Sequence, residues 1–160
     1  MQVVFRNAQK NDVGFIERCI HLLAEEEKFP GQIEVRQEDL LTSLFSEPAA
    51  VYVMIAEVDQ TAVAFAMYYC TFSSTTGKKG LHLDDLYVLQ DYRGHGVGKK
   101  MLGALARIAL KQHCKRFEWW ALRWNDNAIS FYKSLGAQQL DDLKIFRVQE
   151  QALQHIAAIK

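Results

Sequence analysis

A glycine-rich turn between a strand and a helix constrains this chain more than any other feature. Residues 81–88, LHLDDLYV, are apolar enough for a strand, and from Val97 onward apolar residues recur at helical spacing. Three glycines, the last of them Gly98, lie between the two, and Arg93 precedes them. A turn that opens directly into a helix presents free backbone N–H groups at the positive end of the helix dipole. The stretch therefore predicts an anion site, and phosphate is the usual anion at such a site.

Three phosphate-binding motifs compete for this turn. A Walker A loop needs a glycine where Arg93 stands and a serine or threonine where Lys100 stands, so it fails at two positions. A dinucleotide fingerprint needs glycines spaced two and then three apart, whereas Gly94, Gly96 and Gly98 are spaced two and two. The pattern Arg-x-x-Gly-x-Gly fits fully and resembles the acetyl-CoA loop of the GNAT family of N-acetyltransferases. A plain glycine turn into a helix is the alternative.

The bulk properties predict one domain, spanning residues 1–160. The 49% hydrophobic content argues against disorder, and the formal net charge of zero gives no basic surplus for nucleic acid or for a charged membrane surface. No apolar run approaches the roughly 20 residues of a membrane span. The three cysteines are widely spaced and the histidines show no ligand spacing, which predicts no metal and a reduced, cytoplasmic setting.

The order of elements predicts a mixed α/β sheet with helices on both faces. An early hairpin favours antiparallel pairing at the start, and a strand–loop–helix–strand unit favours parallel pairing in the middle. A helix is expected to start at a cap on Asn11 or Asp12 and to end near Lys28. Strands are expected at residues 3–6, 51–58, 62–72, from 81, at 116–122 and at 145–148, a polar loop at 73–80, and further helices at 36–45, 97–110, 126–135 and 151–159.

A second motif follows at residues 124–137, WNDNAISFYKSLGA. It resembles the closing GNAT segment, in which an asparagine caps a helix that carries a tyrosine and then Leu-Gly, here Asn125, Tyr132, Leu135 and Gly136. Two such motifs in the right order imply the GNAT fold, with a central strand followed by a pyrophosphate-binding loop and helix. The chain is most similar to the diamine (spermidine/spermine) N-acetyltransferases.

The resemblance to the diamine group has departures. Glu26 stands where that group has an aromatic residue, and Asp84 stands where it usually has glutamate. The segment before the last expected strand is shorter and lacks a tryptophan. These departures leave acetyl transfer intact and leave the acceptor open.

The resemblance implies a site for acetyl-CoA. The end of the central strand is expected to offer backbone groups to the pantetheine arm, with the N–H of Val88 stabilising the oxyanion. The glycine turn is expected to hold the pyrophosphate. The expected cofactor-binding residues are Leu86, Tyr87, Val88, Arg93, Gly94, His95, Gly96, Val97, Gly98, Lys99, Asn125, Ala128 and Leu135.

The chemistry requires a neutral amine and an acid for the departing thiolate. A primary amine has a pKa near 10.4, so its neutral form costs roughly 4–5 kcal/mol at pH 7 and a base is useful. Asp84 and Glu27 are the candidates for this base, and the other interpretation of Asp84 is a capping or purely substrate-binding carboxylate. Tyr132 is the expected general acid, and an aromatic packing role is its alternative.

Four carboxylates are expected to attract a cationic amine or polyamine: Glu26, Glu27, Asp84 and Asp85. A solvated charge run is the alternative for any single member. The predicted function is acetyl transfer from acetyl-CoA to a small cationic amine. The alternatives are acetylation of protein N-termini or lysines, and a non-catalytic acyl-CoA-binding module. The resemblance also implies a homodimer.

Overall fold

The computed structural model describes residues 1–159 and divides the chain into two compact units, residues 1–122 and residues 123–160. The first unit holds the sheet and three helices, and the second holds two helices and irregular segments. The expectation of one domain over residues 1–160 stays a prediction.

Five strands of the described chain form one sheet in the order β1-β2-β3-β4-β5. The first three pairings are antiparallel and the pairing of β4 with β5 is parallel, which confirms the mixed sheet. The strands are β1 (Val4–Asn7), β2 (Tyr52–Val58), β3 (Thr61–Ser73), β4 (Lys78–Val88) and β5 (Arg116–Trp119).

Helices cover both faces of this sheet. On one face, Ile16 and Cys19 of the first helix and Leu40 of the second pack with Phe65 and Tyr87 of the sheet. The helix after the glycine turn lies on the other face, as described below. The helices are α1 (Val13–Glu26), α2 (Gln37–Phe45), α3 (Val97–Lys111), α4 (Asp126–Ser134) and α5 (Glu150–Ala157), with short 3-10 helices at Lys10–Asp12 and Gln90–Tyr92.

The start of α1 is held by an ion pair rather than by the predicted side-chain cap. Asp12 makes no capping hydrogen bond to α1. Its carboxylate accepts hydrogen bonds from the Arg6 guanidinium at 2.6 and 2.9 Å, and Arg6 also donates to Glu57 at 2.7 Å. The Arg6 guanidinium lowers the pKa of Asp12. The buried carboxylate is therefore used to tie α1 to β1 and β2.

Half of the polar loop predicted at residues 73–80 is strand. Ser73 pairs with Lys78, Phe72 with Lys79 and Thr71 with Gly80, so the turn spans only residues 74–77. Polar composition misleads here because one long hairpin continues past the core, where Lys78 and Lys79 are exposed although their backbone is paired.

One further expectation was wrong. The strand predicted at 145–148 is absent: residues 143–149 have no regular structure, and Ile145 and Phe146 are exposed. A strand requires a partner for its backbone groups, and the second unit contains none among its described residues.

The local signals around α4 were confirmed. The Asn125 side-chain oxygen accepts a hydrogen bond from the Ala128 N–H at 3.2 Å, as expected of an N-cap. Gly136 has a φ of +84° and follows the end of the helix, which is the usual place for a left-handed residue.

Candidate active site

A β-bulge in β4 shapes the site. Met67 pairs with Asp85 while Tyr68 pairs with Leu83, so Asp84 is the extra residue between them. Side chains alternate along a strand, so Asp85 and Tyr87 face the same side of the sheet as Met67, the side covered by α1 and α2. Asp84 itself is exposed and Asp85 is half-buried.

The end of β4 has an open edge. Its pairing with β5 covers only residues 80–83. The Leu89 N–H donates to the Val63 carbonyl on β3 at 2.9 Å, and successive N–H groups of a strand point to opposite edges. The Val88 N–H therefore points toward the open edge, where an extended ligand would find unpaired backbone groups.

A cavity of about 390 Å³ lies between this part of the sheet and the first two helices. Its walls are mostly apolar, and the two aspartates of the bulge line it. A second hollow of about 610 Å³ shares residues 32–35 and Asp39 with the cavity. The cavity lining consists of Ile20, Phe29, Gln32, Ile33, Glu34, Val35, Asp39, Leu40, Ser43, Ala50, Val51, Met67, Asp84 and Asp85.

The electrostatics of the cavity centre on Asp85. Burial, followed by the negative charges of Asp84 and Glu27, raises the pKa of the Asp85 carboxyl to about 7. The influence of Glu27 shows that the end of α1 lies near the bulge. A carboxyl group that titrates near neutral pH is suited to accept a proton.

Sequence reasoning assigned the base to Asp84 or Glu27 and gave Asp85 only a binding role. The signal for Asp85 was present as two adjacent carboxylates on a strand, one of which must point inward if the alternation is unbroken. The bulge and the burial that decide which one does so depend on pairing with β3, which the sequence does not reveal.

The glycine turn has the geometry of an anion site. Gly94 and Gly96 have φ values of +77° and +76°, and nothing lies within 4 Å of a Cβ built on either residue. The following helix starts at Val97, has no side-chain cap and has no acidic residue in its first turn. Its first N–H groups are thus oriented outward for an anion, with no carboxylate competing.

The other residues of the turn have distinct environments. His95 and Lys99 are exposed, and Val97 is buried, so Val97 offers only its backbone to a ligand. A Cβ on Gly98 would lie 3.7 Å from Val88 and 3.8 Å from Leu86, in ordinary contact. Helix α3 therefore packs on the sheet face opposite to the one that carries Tyr87.

The Arg93 and Glu26 side chains bind each other. The Arg93 guanidinium donates to both carboxylate oxygens of Glu26, at 2.8 and 2.7 Å, and its Nε donates to the Val88 carbonyl at 2.8 Å. It also lies 4.9 Å from the centre of the Tyr87 ring. Arg93 is expected at the pyrophosphate and Glu26 at a cationic acceptor; these roles stay predictions, and in this structure each side chain is the other's partner.

The remaining candidates lie in the second unit. Asn125 caps α4 on Ala128, while Tyr132 and Leu135 are half-buried near the end of that helix. The Tyr132 ring centre lies 5.5 Å from that of Phe131. Phe131 is only half-buried too, so neither neighbour is a fully inward core residue.

Comparison with known proteins identifies the family to which this chain belongs. Residues 16–137 match the Acetyltransferase (GNAT) family, a span that contains the bulged strand, the glycine turn and α4. The chain belongs to the GNAT acetyltransferase family. The fold and the enzyme class predicted from the sequence are thereby confirmed.

Individual relatives agree with the family. A thialysine N-epsilon-acetyltransferase of Sus scrofa is 33% identical over 97% of this chain and 97% of its own length. The spermidine/spermine N(1)-acetyltransferase-like protein 1 of Homo sapiens is 36% identical over 95% of this chain, a match that covers 23% of that longer protein. A solved structure of an integron cassette protein from V. cholerae superposes with a TM-score of 0.78 at 27% identity and covers 99% of each chain.

Residues 1–159 contain no helix that is both long and apolar enough to cross a membrane. They also contain no cluster of three or more histidine, cysteine, aspartate or glutamate side chains arranged to hold a metal ion.

Proposed function

We propose that this acetyltransferase moves the acetyl group of acetyl-CoA to a primary amine of a small cationic acceptor, such as a polyamine, a diamine or a lysine-like amino acid. The observation that carries the proposal is the cavity that Asp84 and Asp85 line, with Glu27 close by. Its apolar walls suit the methylene chain of such an acceptor, and its carboxylates suit the ammonium groups. The thialysine and spermidine/spermine acetyltransferase relatives are named for amines of this kind.

The residues present fit acetyl-CoA. The uncapped first turn of α3 and the positive-φ glycines before it would receive the pyrophosphate through backbone N–H groups. The open edge of β4 near Leu86 and Val88 would hold the pantetheine arm through main-chain hydrogen bonds. When bound, acetyl-CoA supplies the activated acetyl group. The turn residues His95 and Lys99 are proposed to line the phosphates.

The ammonium group of the acceptor must lose a proton before its nitrogen can attack, and the aspartates of the bulge are proposed to accept this proton. Asp85 is the better acceptor of this proton because its pKa is about 7, whereas exposed Asp84 is better placed to bind the second cationic group of the acceptor. Glu27 adds negative charge at the same place. Deprotonation at this pair converts the acceptor to the nucleophilic amine.

Tyr132 is proposed as the general acid that protonates the departing thiolate. The support is its place in the segment at residues 124–137 within the span matched to the family. Tyr132→Phe removes only the hydroxyl, so we expect kcat to fall about a hundredfold while the Kd for CoA stays unchanged. Steady-state kinetics and calorimetry measure the two quantities, and an unchanged kcat would remove Tyr132 from the mechanism.

The test of the proposed function is a thiol-release assay with acetyl-CoA against a panel of acceptors. The panel contains spermidine, spermine, putrescine, lysine, thialysine, an aminoglycoside and short peptides with free N-termini. We expect turnover with the diamines, polyamines or lysine analogues. Turnover restricted to peptides would instead favour a protein acceptor, and CoA binding with no turnover would favour a binding module.

We also propose a homodimer. The second unit exposes a series of large apolar side chains that a monomer would leave in water. Among the described residues they are Trp124, Leu140, Leu143, Ile145, Phe146, Val148, Leu153, Ile156 and Ile159.

A cytoplasmic location agrees with the three cysteines, all of which are free thiols.

A further inference from the structure

The strongest unexplained contact in the first unit is the one between Arg93 and Glu26, which are 67 positions apart in sequence. All three nitrogens of the Arg93 guanidinium are engaged at 2.7–2.8 Å, two with the Glu26 carboxylate and one with the Val88 carbonyl. A planar guanidinium that binds a carboxylate bidentately fixes direction as well as distance. The contact therefore joins the end of α1 to the end of β4 in a defined geometry.

The position of Arg93 argues against a role at the phosphates. Its guanidinium lies over the Tyr87 ring, and Tyr87 packs in the cluster formed with α1 and α2. The first turn of α3, which holds the outward N–H groups, lies against Leu86 and Val88 on the other face. Because neighbouring strand residues face opposite sides, Arg93 and the anion-binding turn of α3 lie on different faces of the sheet.

The end of α1 also forms part of the acceptor site. Glu27 follows Glu26 directly and is close enough to Asp85 for its charge to act on that carboxyl. Any movement of the last turn of α1 would therefore shift Glu27 relative to Asp85.

We propose that Glu26 and Arg93 form a positioning pair that sets the distance between the last turn of α1 and the end of β4, and that acceptor recognition depends on this distance. The proposal rests on the proposed function, since it assigns the acceptor to the cavity beside Asp84 and Asp85. It gives both residues roles other than direct contact with the substrates. Arg93 then contributes to the phosphate turn only through its backbone.

The test compares Glu26→Gln, Arg93→Gln and the double variant with Glu25→Gln, which removes an adjacent exposed charge and serves as the matched control. We expect each single variant to raise the acceptor KM about fivefold, with kcat and the Kd for CoA changed less than about twofold. The double variant should resemble either single variant, because the same contact is lost in all three. Glu25→Gln should behave as the parent protein.

An Arg93→Gln variant that weakens CoA about tenfold or more, with Glu26→Gln leaving CoA binding unchanged or tighter, would overturn the proposal. Arg93 would then be a phosphate ligand that Glu26 competes for. Additive effects of the two substitutions on acceptor KM would overturn it as well.

Hydrogen exchange separates this proposal from the proposed function. Amides of residues 23–29 should exchange faster in Glu26→Gln and in Arg93→Gln than in the parent protein and in Glu25→Gln. This readout needs no turnover, so it remains valid if the acceptor panel is silent. Unchanged exchange in that segment would show that the pair does not hold the end of α1.

Discussion

At the scale of single residues, two adjacent aspartates of the bulge have different environments. Asp84 is exposed, whereas Asp85 points into the cavity beneath α1 and α2 and meets the charges of Asp84 and Glu27. The same side-chain chemistry is thus divided into an exposed side chain and a half-buried carboxyl group with a pKa of about 7. The bulge, which inserts one residue into β4, decides which of the two aspartates is the more buried.

Stability should depend on pH through Asp85. Its pKa is raised to about 7 in the folded protein from an ordinary 3.8, so the folded state binds the proton more tightly than the unfolded state. The stabilising contribution is therefore complete below about pH 4 and is lost as the pH rises through 7, at a cost on the order of 4 kcal/mol. We expect Asp85→Asn to have a higher Tm than the parent protein at pH 8, with the difference shrinking toward pH 4.

Thermal unfolding followed by circular dichroism at pH 4, 6 and 8 measures this effect, and Asp91→Asn, an exposed aspartate outside the cavity lining, is the control. The same titration should appear in kinetics, where kcat/KM for the acceptor rises with pH around 7 in the parent protein. Loss of that inflection in Asp85→Asn would identify the group. An inflection that persists there would return the role of base to Asp84 or Glu27.

At the scale of elements, the glycines of the turn before α3 are not equivalent. Gly96 occupies a left-handed conformation with φ of +76°, while Gly98 lies in the helix, where a methyl group would meet Leu86 and Val88 at ordinary distances. The sequence motif does not distinguish the two glycines. The backbone conformation shows that the turn favours glycine at position 96, whereas position 98 has room for a side chain.

We expect Gly96→Ala to lower the free energy of unfolding by roughly 1–2 kcal/mol because alanine is strained at positive φ. Gly98→Ala should leave stability unchanged or raise it by up to about 1 kcal/mol, because alanine favours helix. Chemical denaturation of the two variants measures the difference, and CoA calorimetry shows whether a methyl group at either position obstructs the ligand. Equal destabilisation by both substitutions would contradict this distinction.

The elements that the sequence predicted well are those with local signals. Helix α4 was placed correctly because Asn125 caps it and Gly136 ends it, and both signals lie within a few residues of the helix. The strand at 145–148 was placed wrongly and the loop at 73–80 was predicted too long, because strand formation depends on a distant partner. Asp12 was expected to cap α1, but its carboxylate binds Arg6, which also binds Glu57.

The candidate site shows the same division. The glycine turn was predicted from six consecutive residues, and its backbone conformation agrees with the prediction. The partnership of Arg93 with Glu26 could not be predicted, because nothing near either residue in the sequence indicates a contact with the other.

At the scale of the whole molecule, the second unit leaves much apolar surface exposed. Phe146 is 89% exposed and Leu143 is 65% exposed, and such large apolar side chains clustered at a surface are typical of an interaction site. We expect sedimentation equilibrium to give twice the 18.4 kDa mass of one chain. Phe146→Asp should shift the protein toward the monomer.

Leu110→Asp is the control for this experiment. Leu110 is 72% exposed on α3 in the first unit, so the substitution adds the same charge at a comparably exposed apolar position outside the proposed surface. It should leave the mass unchanged. A parent protein that sediments as a monomer at micromolar concentration would refute the dimer.

The bulge at Asp84 gives β4 one residue more than the stretch of β3 with which it pairs. Leu83 and Asp85 pair with the consecutive residues Tyr68 and Met67, so they face opposite sides of the sheet although one residue separates them. Deleting Asp84 would leave both pairings in register and both halves of β4 on their present faces. The strand can therefore lose Asp84 as a whole residue, and with it one charge beside Asp85, without turning Asp85 or Tyr87 away from the cavity.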